Sequence, residues 1–176
     1  MIALIFAVSN IAAGTLYQVK KLIYSDILQT ILSISKISKC NDVLGEIIVT
    51  FWNILATLNS EENFNEEDFL KVYKYEPLRI FCDGIRSSNK EVLINDCIKG
   101  IYNLILNFHK IPKDKLQEVE IEINSVTPLI NNYVFGKNDQ LAENAKSLLS
   151  KYLDYKKYKK NLNADIMDTE MMNMDN

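Results

Sequence analysis

Apolar residues recur at the i, i+3, i+4 spacing of an α-helix in run after run along this chain, with little to break the runs. Ile2, Leu4, Ile5, Val8, Ile11 and Ala12 begin the series, and Gly14 is placed to stop it, so the spacing predicts a helix over about 2–13. Leu16, Val19, Leu22 and Ile23 fit a short helix; Ile27, Leu28, Ile31, Leu32 and Ile34 fit a medium one that begins near the cap residue Ser25. Residues 41–58 then form a long helix, apolar nearly all round as buried helices are, opened by Asn41 or Asp42. Five glycines and three prolines are too few to reverse a turn-rich β chain as often as it needs, so the fold class is all-α. At 176 residues and 48% hydrophobic, the chain can fill the core of one domain.

The order then repeats. After an acidic insert, Asn59–Asp68, come a short helix (Phe69–Tyr73) and a medium one (Pro77–Arg86), with Pro77 in the first turn, where its missing N–H costs nothing. A third long helix is predicted over 90–109, capped by Ser88 or Asn89, followed by helices near 114–120, 123–135 and 138–154. The long helices are centred roughly 45 to 50 residues apart, which matches the period of armadillo and HEAT arrays once the insert is allowed for. The pattern predicts an armadillo-type α-solenoid of about three repeats over residues 1–154. From Tyr155 the composition turns from basic to acidic and the periodicity stops, so 155–176 is expected to be a disordered tail. Within it, Lys156-Lys157-Tyr158-Lys159-Lys160 reads as a solvated basic helix end, the competing reading being a localisation signal, or an inhibitory segment that occupies the chain's own groove. A chain that starts inside a core helix leaves an apolar face uncovered; it is expected to be a piece of a longer protein and to self-associate on its own.

Charge and chemistry narrow the function. A net charge of −3 gives the whole molecule no bias toward nucleic acid or an anionic membrane, and neither is expected as a partner. Residues 1–19 carry no charged side chain, yet they lack a basic leader region, and Ser9, Asn10, Thr15 and Gln18 interrupt them short of the roughly 18 apolar residues that a span requires. This stretch reads as a core helix. Cys40, Cys82 and Cys97 are odd in number, have no CxxC pairing and lie in apolar runs, so all three are expected to be reduced core residues of a cytosolic or nuclear protein. His109 is the one histidine and closes the third long helix, where it is expected to partner the helix dipole. With no phosphate loop and no metal-ligand spacing, neither an enzyme nor a cofactor is expected.

One segment is more specific. Phe6-Ala-Val-Ser-Asn-Ile-Ala-Ala-Gly14 resembles the third helix of an importin-α armadillo repeat, which typically reads Trp-x-x-Ser-Asn-Ile-Ala-Ala-Gly. Gln18-Val19 and Leu22-Ile23 are similar to the next repeat's first helix. Glu46, Val49 and Asn53 stand at the offsets of the family's Glu-x-x-Trp-x-x-x-Asn. Cys82-Asp-Gly-Ile85, Gly100-Ile-Tyr-Asn-Leu104 and the stretch from Lys137 to Leu153 continue the resemblance in unbroken order over about 1–154. It implies the C-terminal repeats, roughly the seventh to the tenth, of a nuclear import adaptor of the cytoplasm and nucleus. Its partners would be the basic localisation-signal peptides of cargo and the export receptor that returns the adaptor.

Carried onto this sequence, the family's pattern makes Asn10 and Asn53 holders of the peptide backbone, because an amide offers donors and an acceptor together. Phe6 becomes an aromatic wall and Glu46 the receiver of a Lys or Arg head. Val49 replaces a tryptophan and removes a cation–π contact worth about 0.5–2 kcal/mol. Trp52, three residues on, should project from an adjacent face and reads as core. The competing reading of Asn10, Asn53 and Asn103 is that they bond across to the neighbouring repeat, which makes the chain a non-catalytic armadillo or HEAT scaffold without signal-peptide recognition.

Overall fold

The computed structural model describes residues 2–60 and 65–174, with side chains described as far as Lys159. Residues 61–64, the middle of the expected acidic insert, lie outside the described residues. Nine helices are described: α1 (Ile2–Ala12), α2 (Leu16–Ile23), α3 (Ile27–Ile37), α4 (Asn41–Ser60), α5 (Glu66–Tyr73), α6 (Pro77–Ser87), α7 (Glu91–Ile105), α8 (Leu116–Asn131) and α9 (Asp139–Met174).

Local chemistry sets most of these ends. Thr15 opens α2 with a capping box: Gln18 N donates to Thr15 Oγ1, and Thr15 N donates to Gln18 Oε1 at 2.8 Å. Asn65 opens α5, its Oδ1 accepting from Asp68 N at 2.8 Å. The medium helix α3 starts after Asp26, not directly after Ser25; Ser25 Oγ instead accepts from Ile27 N and donates to the Leu22 carbonyl, bridging α2 to α3. Before α6, Glu76 sits at φ 56°, the left-handed region that a side chain occupies at a cost, and Pro77 then supplies the fixed φ of the first helical turn.

The long helices pack in chain order, α1 on α4, α4 on α7 and α7 on α9, forming one continuous wall. On the other side lie the short helices α2 and α5 and the medium helices α3, α6 and α8. Between the layers runs a single core whose largest fully buried members are Phe51, Phe69, Phe81 and Phe108, one or more from each repeat. By length and composition α4 is apolar enough to cross a membrane, but it is held between α1 and α7 with Ile47, Ile48, Phe51, Ile54, Leu55 and Leu58 buried. Ion pairs tie one repeat to the next on the outer layer: Lys20 Nζ to Asp68 Oδ2 at 2.9 Å, Lys36 Nζ to Glu76 Oε1 at 3.0 Å, and Arg86 Nη2 to Glu122 Oε2 at 2.6 Å.

The third repeat departs from expectation. Two single 3-10 turns, Phe108–Lys110 and Lys113–Lys115, lead into the helix expected near 114–120, which starts at Leu116; Pro112, which lacks an N–H, stands between the turns. The expected break between 120 and 123 does not occur; α8 is continuous from Leu116 and carries Pro128 inside it. The third long helix, α7, ends at Ile105, so His109 lies exposed on a 3-10 turn and does not close that helix. Nor does α9 stop at 154. Tyr155 packs edge-on against Phe108, with ring centroids 5.1 Å apart, and Lys159 Nζ meets Glu120 Oε1 at 2.6 Å, so these two side chains are held on the packed body while Lys156, Lys157 and Tyr158 between them are exposed. Among the cysteines, Cys82 and Cys97 are buried thiols as expected, but Cys40 is exposed ahead of α4.

Candidate functional site

The wall of long helices carries every residue that the sequence nominates. On α1, Phe6 and Asn10 lie one turn apart and both are exposed; Phe6 keeps 54% of its surface in solvent. The Asn10 side chain makes no hydrogen bond to another described residue, so its donors and acceptor are open. Glu46 and Asn53, two turns apart on α4, both reach back to the buried Ser9 of α1. Ser9 Oγ donates to Glu46 Oε2 at 2.8 Å, and Asn53 Nδ2 donates to the Ser9 carbonyl at a long 3.5 Å. The structure thus brings Glu46 and Asn53 together in the joint between α1 and α4, and leaves Phe6 and Asn10 free beside it.

Further along the wall, asparagine amides join the helices. Asn59 Nδ2 on α4 donates to Asn103 O and Oδ1 on α7 at 3.0 and 3.2 Å, and the buried Asn107 donates to Asn59 Oδ1 and to the Asn103 carbonyl. Asn144 Nδ2 on α9 donates to Asn95 Oδ1 on α7 at 2.8 Å. An amide suits this task because it can donate to one neighbour and accept from another, and no charge has to be buried.

Trp52 is half-buried and packs against the core, in keeping with its reading as core, while its ring also lines a pocket on the long helices. Lys99 Nζ of α7 sits 4.8 Å from the ring centroid and 3.6 Å from Asp96 Oδ1. Burial pushes the Asp96 carboxyl above its usual range, which Lys99 partly counters. A pocket of about 230 Å³ opens beside the pair, with Tyr102, Asn103, Asn144 and Ser147 completing its walls. The spacing of Trp52 and Lys99, close to one repeat, is the sequence clue that places them side by side on stacked helices.

Among the described residues, no group of three or more His, Cys, Asp or Glu side chains could hold a metal ion. What the wall offers is hydrogen bonding and shape, from residues mounted on rigid helices.

The sequence matches no protein-family model and no curated protein. Among solved structures the chain is similar to a designed armadillo repeat protein in complex with peptide (KR)4, with a TM-score of 0.63 and 20% identity, over 84% of this chain and 56% of that one. The chain is therefore an armadillo-type α-solenoid, spanning little more than half the length of the designed protein. At this identity the likeness carries the fold alone.

Proposed function

We propose that this chain is a non-catalytic armadillo protein that binds extended peptides along its long-helix wall, and that its ligands are basic localisation signals, as in a nuclear import adaptor. The observation that carries the reading is the free pair Phe6 and Asn10 on α1, standing beside Glu46 and Asn53 on the wall that armadillo stacking makes concave. Asn10 offers the unpaired amide that a peptide backbone needs, and Glu46 supplies negative charge next to it. That the designed armadillo protein was solved with a lysine–arginine peptide supports the same ligand class. The importin-α-like segment from Phe6 to Gly14 extends the reading to exchange between cytoplasm and nucleus and to an export receptor.

A scaffold without peptide recognition is the second reading. It is favoured by the bonds that Glu46 and Asn53 already make to Ser9. Fluorescence anisotropy of labelled monopartite and bipartite basic peptides at near-physiological salt separates the two. The adaptor reading predicts saturable binding that Asn10→Ala weakens without altering thermal stability. A folded chain that binds no basic peptide leaves the scaffold.

A further inference from the structure

The pocket between Trp52 and Ser147 differs in chemistry from the α1–α4 end of the wall. We infer that it is a subsite for an acidic side chain of the bound peptide, with Lys99 as the residue that sets this preference. The inference rests on the peptide-binding reading above and refines it to a peptide of mixed charge.

Donors and acceptors in the pocket account for the preference. Asn144 is partly engaged: its Nδ2 donates to Asn95 and keeps one N–H, and its Oδ1 accepts from Gln140 Nε2 at 3.4 Å. Asn103 Oδ1 accepts from the Asn59 amide, and its own Nδ2 is left to donate. The hydroxyls of Tyr102 and Ser147 make no hydrogen bond to another described residue and are free to donate. Lys99 carries three N–H donors, of which Asp96 takes up one direction at 3.6 Å. Each of these side chains therefore has a donor to spare, and a pocket so lined, with an ammonium in its wall, suits an acceptor carrying negative charge.

The same geometry argues against a basic side chain here. The indole of Trp52 is the surface on which a peptide lysine would stack, and Lys99 already occupies it. A second cation arriving there would meet Lys99 at close range, and the Lys146 and Lys151 side chains of α9 flank the neighbouring surface next to Tyr102 and Ser147. Asp96 and Asp154 are the anions nearby, and Asp96 is half-buried beneath Lys99.

The test uses labelled peptides of one length: a lysine–alanine parent, and two derivatives in which three alanines at one end or the other are replaced by glutamate. Anisotropy titrations are run with the native chain and with Lys99→Met, which keeps the aliphatic stem over Trp52 and removes the charge; thermal unfolding establishes that the variant is folded. The expected result is that one glutamate derivative binds about tenfold tighter than the parent, and that Lys99→Met abolishes this gain while the parent binds no more weakly than to the native chain, since the charge that repels its lysines is gone. Lys99→Glu is expected to reverse the preference toward the lysine–alanine parent. Glutamate derivatives that bind no tighter than the parent, or a gain that survives Lys99→Met, overturn the assignment of the subsite while peptide binding stands. Failure of every peptide to bind overturns both.

Discussion

Replacing Gly100 with alanine sets two effects of known sign against each other. Gly100 lies in α7, where alanine is the better helix former by about 1 kcal/mol. But an added Cβ would stand 2.5 and 2.6 Å from Cε1 and Cε2 of Phe81, where carbon atoms in contact need about 3.5–4.0 Å. Phe81 is fully buried on α6 and has no open space to turn into, so the helices must part by about 1 Å. Overpacking of this kind costs about 1–3 kcal/mol, more than the helix gains. Gly100→Ala is therefore expected to destabilise by up to about 2 kcal/mol and to lower Tm by up to roughly 8 °C. Gly45→Ala is the control. It too lies inside a long helix, but its Cβ would meet only Leu93 Cδ1 at 3.8 Å, an ordinary contact. There the helix gain is unopposed, and Tm is expected to rise by roughly 1–4 °C. Thermal and urea unfolding followed by circular dichroism read both variants. A Gly100→Ala protein as stable as Gly45→Ala would refute the packing of α6 on α7 described here. If that packing is right, Phe81→Leu in the Gly100→Ala background costs less than it does alone, as coupled neighbours require.

Other consequences test the outer layer and the thiols. Asp68 is almost completely buried, held by Lys20 and by the Tyr24 hydroxyl at 3.1 Å, so Lys20→Met strands a carboxylate; because Lys20 is one-third exposed, the expected loss is about 1–2 kcal/mol in urea unfolding, and a change below about 0.3 kcal/mol would count against the pair. Burial pushes the Cys82 thiol up to about 12 and the Cys97 thiol higher still, so a thiol reagent at neutral pH should modify Cys40 quickly and reach the other two only after unfolding. Burial pushes the Glu76 carboxyl upward, but hydrogen bonds from Lys36 and Arg79 outweigh it and hold the group below its usual range. A lowered carboxyl contributes stability that is present above its unfolded-state pKa and is lost as pH falls through the folded-state value. The stability gap between native chain and Glu76→Gln should therefore close on acidification from about pH 6 to about pH 3, and a gap that widens contradicts the sign.

The helix order of the first two repeats is legible from apolar spacing, since Leu16–Ile23, Ile27–Ile37, Asn41–Ser60 and Pro77–Ser87 each present one uninterrupted period. In the third repeat the short, medium, long order of the first two does not hold. Nothing between Glu120 and Ile123 argues for a break, and the two helices expected there are one, α8. The extension of α9 was hidden because its anchors, Tyr152 and Tyr155 against Phe108 and Glu120, come from distant parts of the chain, while the lysines around them resemble a solvated tail. At the candidate site, the long-helix positions of Phe6, Asn10, Glu46 and Asn53 follow from spacing. That Ser9 would claim Glu46 and Asn53, and that Lys99 would cover Trp52, depends on how neighbouring helices slide past one another, which periodicity does not record.

The central claim is that peptides bind along the wall formed by α1, α4, α7 and α9. Its most direct test is chemical-shift mapping of the isotopically labelled chain titrated with a lysine–arginine octapeptide. The account predicts shifts confined to those four helices, with the Asn10 side-chain amide among the most perturbed. Shifts on α2, α3, α5, α6 or α8 in place of the wall, or none at millimolar peptide, would contradict it.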